Sequence, residues 1–198
     1  MLNQTAAIRE QAQVKHAIDD RVILACQNGD RDALRVLFEQ YKDRVYSISF
    51  YWFNGDGAAA ADVTQQVFLK LLSRISQFRG DSEFTTWLYR LVVNTCLDER
   101  RKQKRLVSLD DPAFMDHGKH EPSQSKRYAQ HELSDHVQAA IANLSPKLRL
   151  PILLKYIEGF SYEQIAKVLE CSKGTVASRL NRGHKALAKR LSYLRGAV

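Results

Sequence analysis

Apolar residues in this chain recur every three or four positions, and no stretch alternates apolar with polar as a half-buried strand would. The pattern predicts an all-α protein. After Asn28-Gly29, Asp30 is placed to cap a long helix. Leu34, Leu37, Phe38, Tyr41, Val45, Ile48 and Trp52 form its inward stripe. A short lead-in helix over Arg21–Gln27 precedes it. Asn54-Gly55-Asp56-Gly57 stops the long helix, and a second runs from Ala58–Ala61 to about Arg74, with Val63, Val67, Phe68, Leu71 and Leu72 inward. Gln77 to Ser82 reads as a loop, with Ser82 as the next cap. A third helix puts Phe84, Leu88, Leu91, Val92 and Thr95 on one side and ends near the run Arg100-Arg101-Lys102-Gln103-Lys104-Arg105.

From Leu106 the period is lost. Asp, Pro, Gly, His and Ser dominate as far as Lys126, the composition of a flexible linker. Periodicity returns from Tyr128 to Asn143, with Leu133, Val137, Ile141 and Leu144 inward. Ser145-Pro146 is a cap followed by proline at the first helical position. Pro151 falls inside the next helix, where it should kink it or force a local adjustment, and Glu158-Gly159 ends it. The chain therefore divides into an N-terminal extension (1–19), a helical domain (20–105), a linker (106–127) and a second helical domain (128–198).

The last stretch carries the most information. Ser161-Tyr162-Glu163-Gln164 is a capping box, and Ile165, Val168 and Leu169 give a short helix its buried face. The chain turns at Glu170-Cys171-Ser172 and enters a basic helix with Val176, Leu180, Leu187 and Leu191 inward. Two helices joined by a tight turn, the second basic, fit a DNA-binding helix-turn-helix. Lys173, Thr175, Ser178, Arg179, Arg182 and Lys185 are its outward candidates. Arginine can pair bidentately with guanine, whereas lysine and serine suit phosphate.

Charge agrees with that partner. The formal net charge is +8 and the isoelectric point about 9.5, a balance that favours a polyanion through counterion release. The three cysteines, Cys26, Cys96 and Cys171, are dispersed and make a poor disulfide framework. Met1–Asp20 has no apolar run of signal-peptide type, and no segment reaches the length of a membrane span. A cytoplasmic protein without membrane insertion is the expectation.

Three motifs, in order, resemble the sigma-70 family of RNA polymerase sigma factors, in its extracytoplasmic-function (ECF) group. Asp62-Val63-Thr64-Gln65-Gln66-Val67-Phe68-Leu69-Lys70-Leu71 resembles the family's second conserved region, and Phe78–Asn94 is similar to the matching segment of the ECF group. Tyr156–Ala166 and Gly174–Gly183 resemble the fourth region. The resemblance implies a chain that binds core RNA polymerase and directs promoter recognition and opening. It implies that Asp62, Gln65, Gln66, Phe68 and Leu69 dock on the polymerase, with Ala61 and Gln66 standing where relatives often carry acids. It implies that Phe78, Arg79, Gly80, Asp81 and Ser82 form a pocket for a flipped −10 base, with Asn94 supplying hydrogen bonds. Arg90, Arg100, Arg101, Lys104 and Arg105 would grip phosphate, and Trp87 would pack. The basic helix would read the −35 element, with Ala177 where relatives often have a basic residue. An anti-sigma factor is the further partner implied.

Other chemistries are poorly supported. His117, His120, His131 and His136 lack the spacing of a metal site, Cys96 lies on a buried helix face, and no phosphate-binding loop, metalloprotease motif or nucleophile elbow occurs. No cofactor, no metal and no enzyme activity are expected. The competing reading is a helix-turn-helix regulator that binds duplex DNA without polymerase. A third, a nuclease or RNA-modifying enzyme, needs clustered carboxylates or histidines.

Overall fold

The computed structural model describes residues 18–110 and 136–192, with the side chains of Lys104 and residues 106–110 outside that description. The expected linker beyond Asp110, the start of the helix at Tyr128, His117, His120, His131 and the N-terminal extension lie outside the described residues. In chain order the elements are α1 (Asp20–Gln27), α2 (Arg31–Trp52), α3 (Gly57–Arg74), a 3-10 turn (Ile75–Gln77), α4 (Phe84–Asp110), α5 (136–142), α6 (Pro146–Tyr156), α7 (Tyr162–Val168) and α8 (Lys173–Arg190). All are helical.

Local chemistry explains most starts. Asp19 caps α1 by accepting from Arg21 N at 2.8 Å. Asp30 caps α2, accepting from Asp32 N at 2.8 Å and Ala33 N at 3.1 Å. Asp56 caps α3 through Ala59 N at 3.0 Å. Ser82 was expected to cap α4, but the helix begins at Phe84 and the carbonyl of Glu83 receives its first bond, from Trp87 N at 3.2 Å. Nor does α4 stop at the basic run. It continues to Asp110, because Arg, Lys, Gln and Leu all favour helix and no Gly or Pro intervenes before Pro112.

The first domain packs α2, α3 and α4 around Tyr41, Val45, Ile48, Trp52, Val63, Val67, Leu71, Leu88 and Val92, all nearly free of solvent. Trp52 satisfies its indole N–H on Cys96 O at 3.1 Å, tying α2 to α4. Phe38 and Leu72, expected inward, are 41% and 48% exposed. Their spacing is right, but the apolar stripe is wider than the neighbouring helix covers.

The second domain is built from α6, α7 and α8. Pro151 is buried within α6, which runs through it to Tyr156. Gly183 is buried where α8 crosses α6, and an added Cβ would lie 3.1 Å from Ile152 Cγ1. Leu187 and Leu191 are only half-buried. The two domains are not apart. One apolar cluster runs through both, from Trp52 and Tyr89 to Leu154, Phe160 and Ile165.

Candidate nucleic-acid interface

The helix-turn-helix is held by a chain of caps. Ser161 Oγ accepts from Gln164 N at 3.2 Å while Gln164 Oε1 accepts from Ser161 N at 2.9 Å, the reciprocal box the sequence predicts. Ser172 caps α8 by accepting from Thr175 N at 3.1 Å, and its hydroxyl meets that of Thr175 at 2.9 Å. Lys173 pairs with Glu163 across the two helices, which holds the Glu163 carboxyl below its ordinary range. Lys173 and Thr175 are thus structural ties as well as surface groups. Ser178, Arg182 and Lys185 form an exposed stripe at i, i+4 and i+7. Arg179 is half-buried, with Nη1 3.8 Å from Cys171 Sγ.

The first domain presents a loop and a helix side by side. Phe78 is packed edge-on against Phe84 (5.6 Å between centroids) and tilted against Trp87 (5.5 Å). This agrees with a packing role for Trp87 and turns Phe78 partly inward. Gln27, which sequence reasoning missed, donates Nε2 to Phe78 O at 2.7 Å and to Ile75 O at 3.1 Å. One side chain of α1 therefore pins the backbone of the loop. Gly80 has φ +78°, which the absence of a Cβ permits. Arg79, Gly80 and Asp81 are exposed, and Ser82 is half-buried.

Along α4, Arg90, Asn94, Arg101 and Arg105 share a stripe at i, i+4, i+11 and i+15. Asn94 is exposed and borders a polar hollow with Lys70, Arg74, Thr95, Asp98 and Arg101. Lys70 Nζ donates to Thr95 Oγ1 at 3.1 Å, so α3 adds cations that the motif reading passed over. Arg90 also reaches the helix-turn-helix: Nε donates to Lys167 O at 3.0 Å and lies 3.8 Å from Glu170 Oε1. The Arg100 guanidinium lies 5.4 Å from the Trp52 ring centroid.

A third surface lies on α2 and α3. Asp62, Gln65 and Leu69 are exposed on one face of α3, joined by Leu72, while Gln66 is half-buried and Phe68 is only 7% exposed. Gln65, Phe68, Leu69 and Leu72 line, with Phe38 and Tyr46 of α2, an open, largely apolar hollow of about 490 Å³, and Asp62 and Gln66 lie outside its lining. Phe38 meets Phe68 edge-to-face at 4.8 Å. Exposed apolar side chains clustered in this way form a patch of the kind that interaction surfaces carry.

Residues 37–106 match the family profile of Sigma-70 region 2, and residues 134–187 that of Sigma-70, region 4. The chain is 34% identical over 184 residues to RNA polymerase sigma-H factor of Pseudomonas aeruginosa, covering 89% of this chain and 95% of that one. It belongs to the ECF branch of the sigma-70 family. Another relative, the ECF sigma factor SigW of Bacillus subtilis, is 34% identical over 176 residues, covering 85% of this chain and 94% of that one. The fold is shared with sigma factor RpoE of Bartonella quintana, solved with the anti-sigma factor NepR, at a TM-score of 0.67 and 23% identity over 80% of this chain and 96% of that one. As a sigma factor, the chain serves promoter recognition by RNA polymerase and is neither an enzyme nor a regulator working apart from polymerase.

The region 2 match contains the α2–α3 hollow, the Phe78–Phe84 loop and the α4 stripe. The region 4 match contains the capped helix pair. Among the described residues of this sigma factor, no cluster of three or more His, Cys, Asp or Glu could hold a metal, and no helix is long and apolar enough to cross a membrane. Cys96 is sealed in the core, and burial pushes its thiol up to about 12, far from reactive.

Proposed function

We propose that this sigma factor divides promoter recognition among three surfaces. The α2–α3 hollow, lined by Gln65, Leu69 and the edge of Phe68, docks on core RNA polymerase, with Asp62 and Gln66 on the same helix beside it. Its apolar floor contributes burial, and the polar Gln65 in its lining, with Asp62 and Gln66 nearby on α3, sets orientation. The Phe78–Ser82 loop and the α4 stripe take the −10 element. A loop pinned by Gln27 offers a preformed rim against which an unstacked base can seat. Asn94 reads or steadies that strand, while Arg101 and Arg105 neutralise phosphate. The Ser178–Arg182–Lys185 stripe, with Arg179 beside it, takes the −35 duplex in the major groove. Core polymerase, promoter DNA and an anti-sigma factor are the partners of this reading, the last by likeness to the RpoE–NepR complex.

The observation that carries the assignment is Asn94, exposed within the α4 stripe at a hollow also lined by Lys70, Arg74 and Arg101. The test separates docking from opening. Leu69→Asp should weaken binding to core polymerase about tenfold or more, since a charge replaces apolar contact. Asn94→Ala should leave that binding intact and slow promoter opening, read by thymine reactivity to permanganate. Equal opening rates for Asn94→Ala and wild type would remove Asn94 from the reading surface.

A further inference from the structure

The α4 stripe proposed for the −10 element carries one acid among its cations. Asp98 lies one turn beyond Asn94 on the same face, and its side chain is 51% exposed. Arg101 Nη1 donates to its Oδ1 at 3.3 Å, and Lys70 Nζ of α3 lies 4.0 Å from its Oδ2. The Lys70 ammonium is fixed in turn. It donates to Thr95 Oγ1 at 3.1 Å, and that buried hydroxyl donates to Leu91 O at 2.7 Å. Lys70, Asn94, Asp98 and Arg101 all line one polar hollow of about 330 Å³.

Ion pairing accounts poorly for this acid. An exposed pair three residues apart on a helix contributes little to stability. Facing phosphate, a carboxylate opposes binding to every sequence alike. Facing a base edge it does what a cation cannot, because it accepts hydrogen bonds and donates none. In the major groove a C·G pair offers one donor, cytosine N4, beside two acceptors, guanine O6 and N7. An acid with a lysine next to it is the complement of that edge. Each carboxylate oxygen has two acceptor sites, so the bond from Arg101 leaves Asp98 able to accept from N4. Lys70 has three N–H donors, of which Thr95 takes one. The 4.0 Å between Lys70 Nζ and Asp98 Oδ2 is of the order of the ~3 Å that separates N4 from O6 across the hydrogen-bonded pair. Adenine also offers an amine, but its N7 acceptor lies beside it and repels a second acceptor. Thymine and guanine offer Asp98 no donor at all.

We infer that Asp98 is a specificity-determining residue of this sigma factor, selecting cytosine of a C·G pair at the duplex edge of the −10 element, with Lys70 on the guanine. The inference rests on the assignment of the α4 stripe to that element made above, and adds a base to it. Four residues of helix rise about 6 Å, close to two base-pair steps of ~3.4 Å. The selected pair therefore lies one or two steps from the base that Asn94 contacts. Arg101 holds the carboxylate in the hollow and keeps its remaining donors for phosphate.

Transcription from a promoter library randomised through the downstream block, with the full chain and core polymerase, tests this. Wild type should enrich C·G at one position about fivefold or more over the other pairs. Asp98→Asn keeps the size of the side chain and adds a donor to the acceptor, the pattern that pairs with adenine N6 and N7. It should move the preference at that position alone from C·G to A·T, whereas Asp98→Ala should flatten it. Binding of both variants to core polymerase should match wild type. A carboxylate that only ties down Arg101 would change output from all templates by a common factor. A uniform change, a wild-type profile with no C·G position, or an Asp98→Asn profile that overlays wild type each overturns the inference. Asn94→Ala in the same library separates it from the wider reading. If Asn94→Ala relaxes its own position while Asp98→Asn moves nothing, the role of Asp98 alone is lost. If neither substitution alters the downstream block, the assignment of the α4 stripe to the −10 element fails with it.

Discussion

Glu158 shows how one residue can couple ionisation to domain contact. Burial raises its carboxyl above the ordinary value near 4.5, and this outweighs the opposing pull of the Tyr89 hydroxyl and the Arg44 guanidinium. The folded protein therefore holds this proton more tightly than the unfolded chain does. The stability so gained is complete below about pH 4.5 and is lost as pH rises through the raised value. Calorimetry of wild type and Glu158→Gln across pH 4 to 7.5 should show the melting temperature of wild type falling relative to the variant as pH rises. A gap independent of pH would mean that the carboxyl does not titrate in that window. Arg149 behaves differently: burial lowers its guanidinium only to about 10, so it stays charged at neutral pH, stabilised by the carbonyls of Trp52 and Leu144. Neither residue is legible from sequence, because each acts on a partner about a hundred positions away, beyond any local pattern.

At the scale of elements, the crossing of α6 and α8 gives a sharp contrast between two glycines. A Cβ at Gly183 would press on buried Ile152, whereas the nearest atom to one at Gly174 is Ser172 Oγ at 3.9 Å. Alanine in a helix is worth about 1 kcal/mol over glycine, and overpacking costs about 1–3 kcal/mol. Gly174→Ala should therefore stabilise the chain, and Gly183→Leu should destabilise it by about 1–3 kcal/mol in urea titration; a shift of the same sign in both would contradict the packing. Element identity was largely readable because caps and periodicity are local. Asp30, Ser161 with Gln164, and the Val176–Leu180 face all stand where their spacing puts them. Depth was not readable. Phe38 and Leu72 have core spacing but lie at the edge of the stripe, where the neighbouring helix ends its cover, and their exposure builds the α2–α3 hollow. The end of α4 was misplaced for the opposite reason: a basic run looks like a terminus to a reader of charge, yet its residues are good helix formers.

At the scale of the whole molecule, family motifs pointed to promoter recognition, but the arrangement of the domains could not come from them. Two periodic blocks with an aperiodic stretch between them predict two helical domains, and the described residues of both share one continuous apolar cluster that no local pattern announces. The motifs assign Arg90 to phosphate, and the fold adds a contact they do not show, from its Nε to the Lys167 carbonyl of the helix-turn-helix. Gln27, which anchors the start of the Phe78–Ser82 loop, lies outside every motif and is found only through its two carbonyl partners. The net charge of +8 is consistent with a polyanionic partner, and the surfaces proposed for it are the stripes on α4 and α8.

The division of labour among these surfaces is tested most directly by transcription from a randomised promoter library with purified core polymerase and the full chain. Specific starts should require the chain, and the selected templates should carry two sequence blocks at a fixed spacing. Asn94→Ala should relax the downstream block alone, and Arg182→Ala the upstream block alone. Starts that occur without the chain, or templates selected on a single block that neither substitution alters, would contradict it.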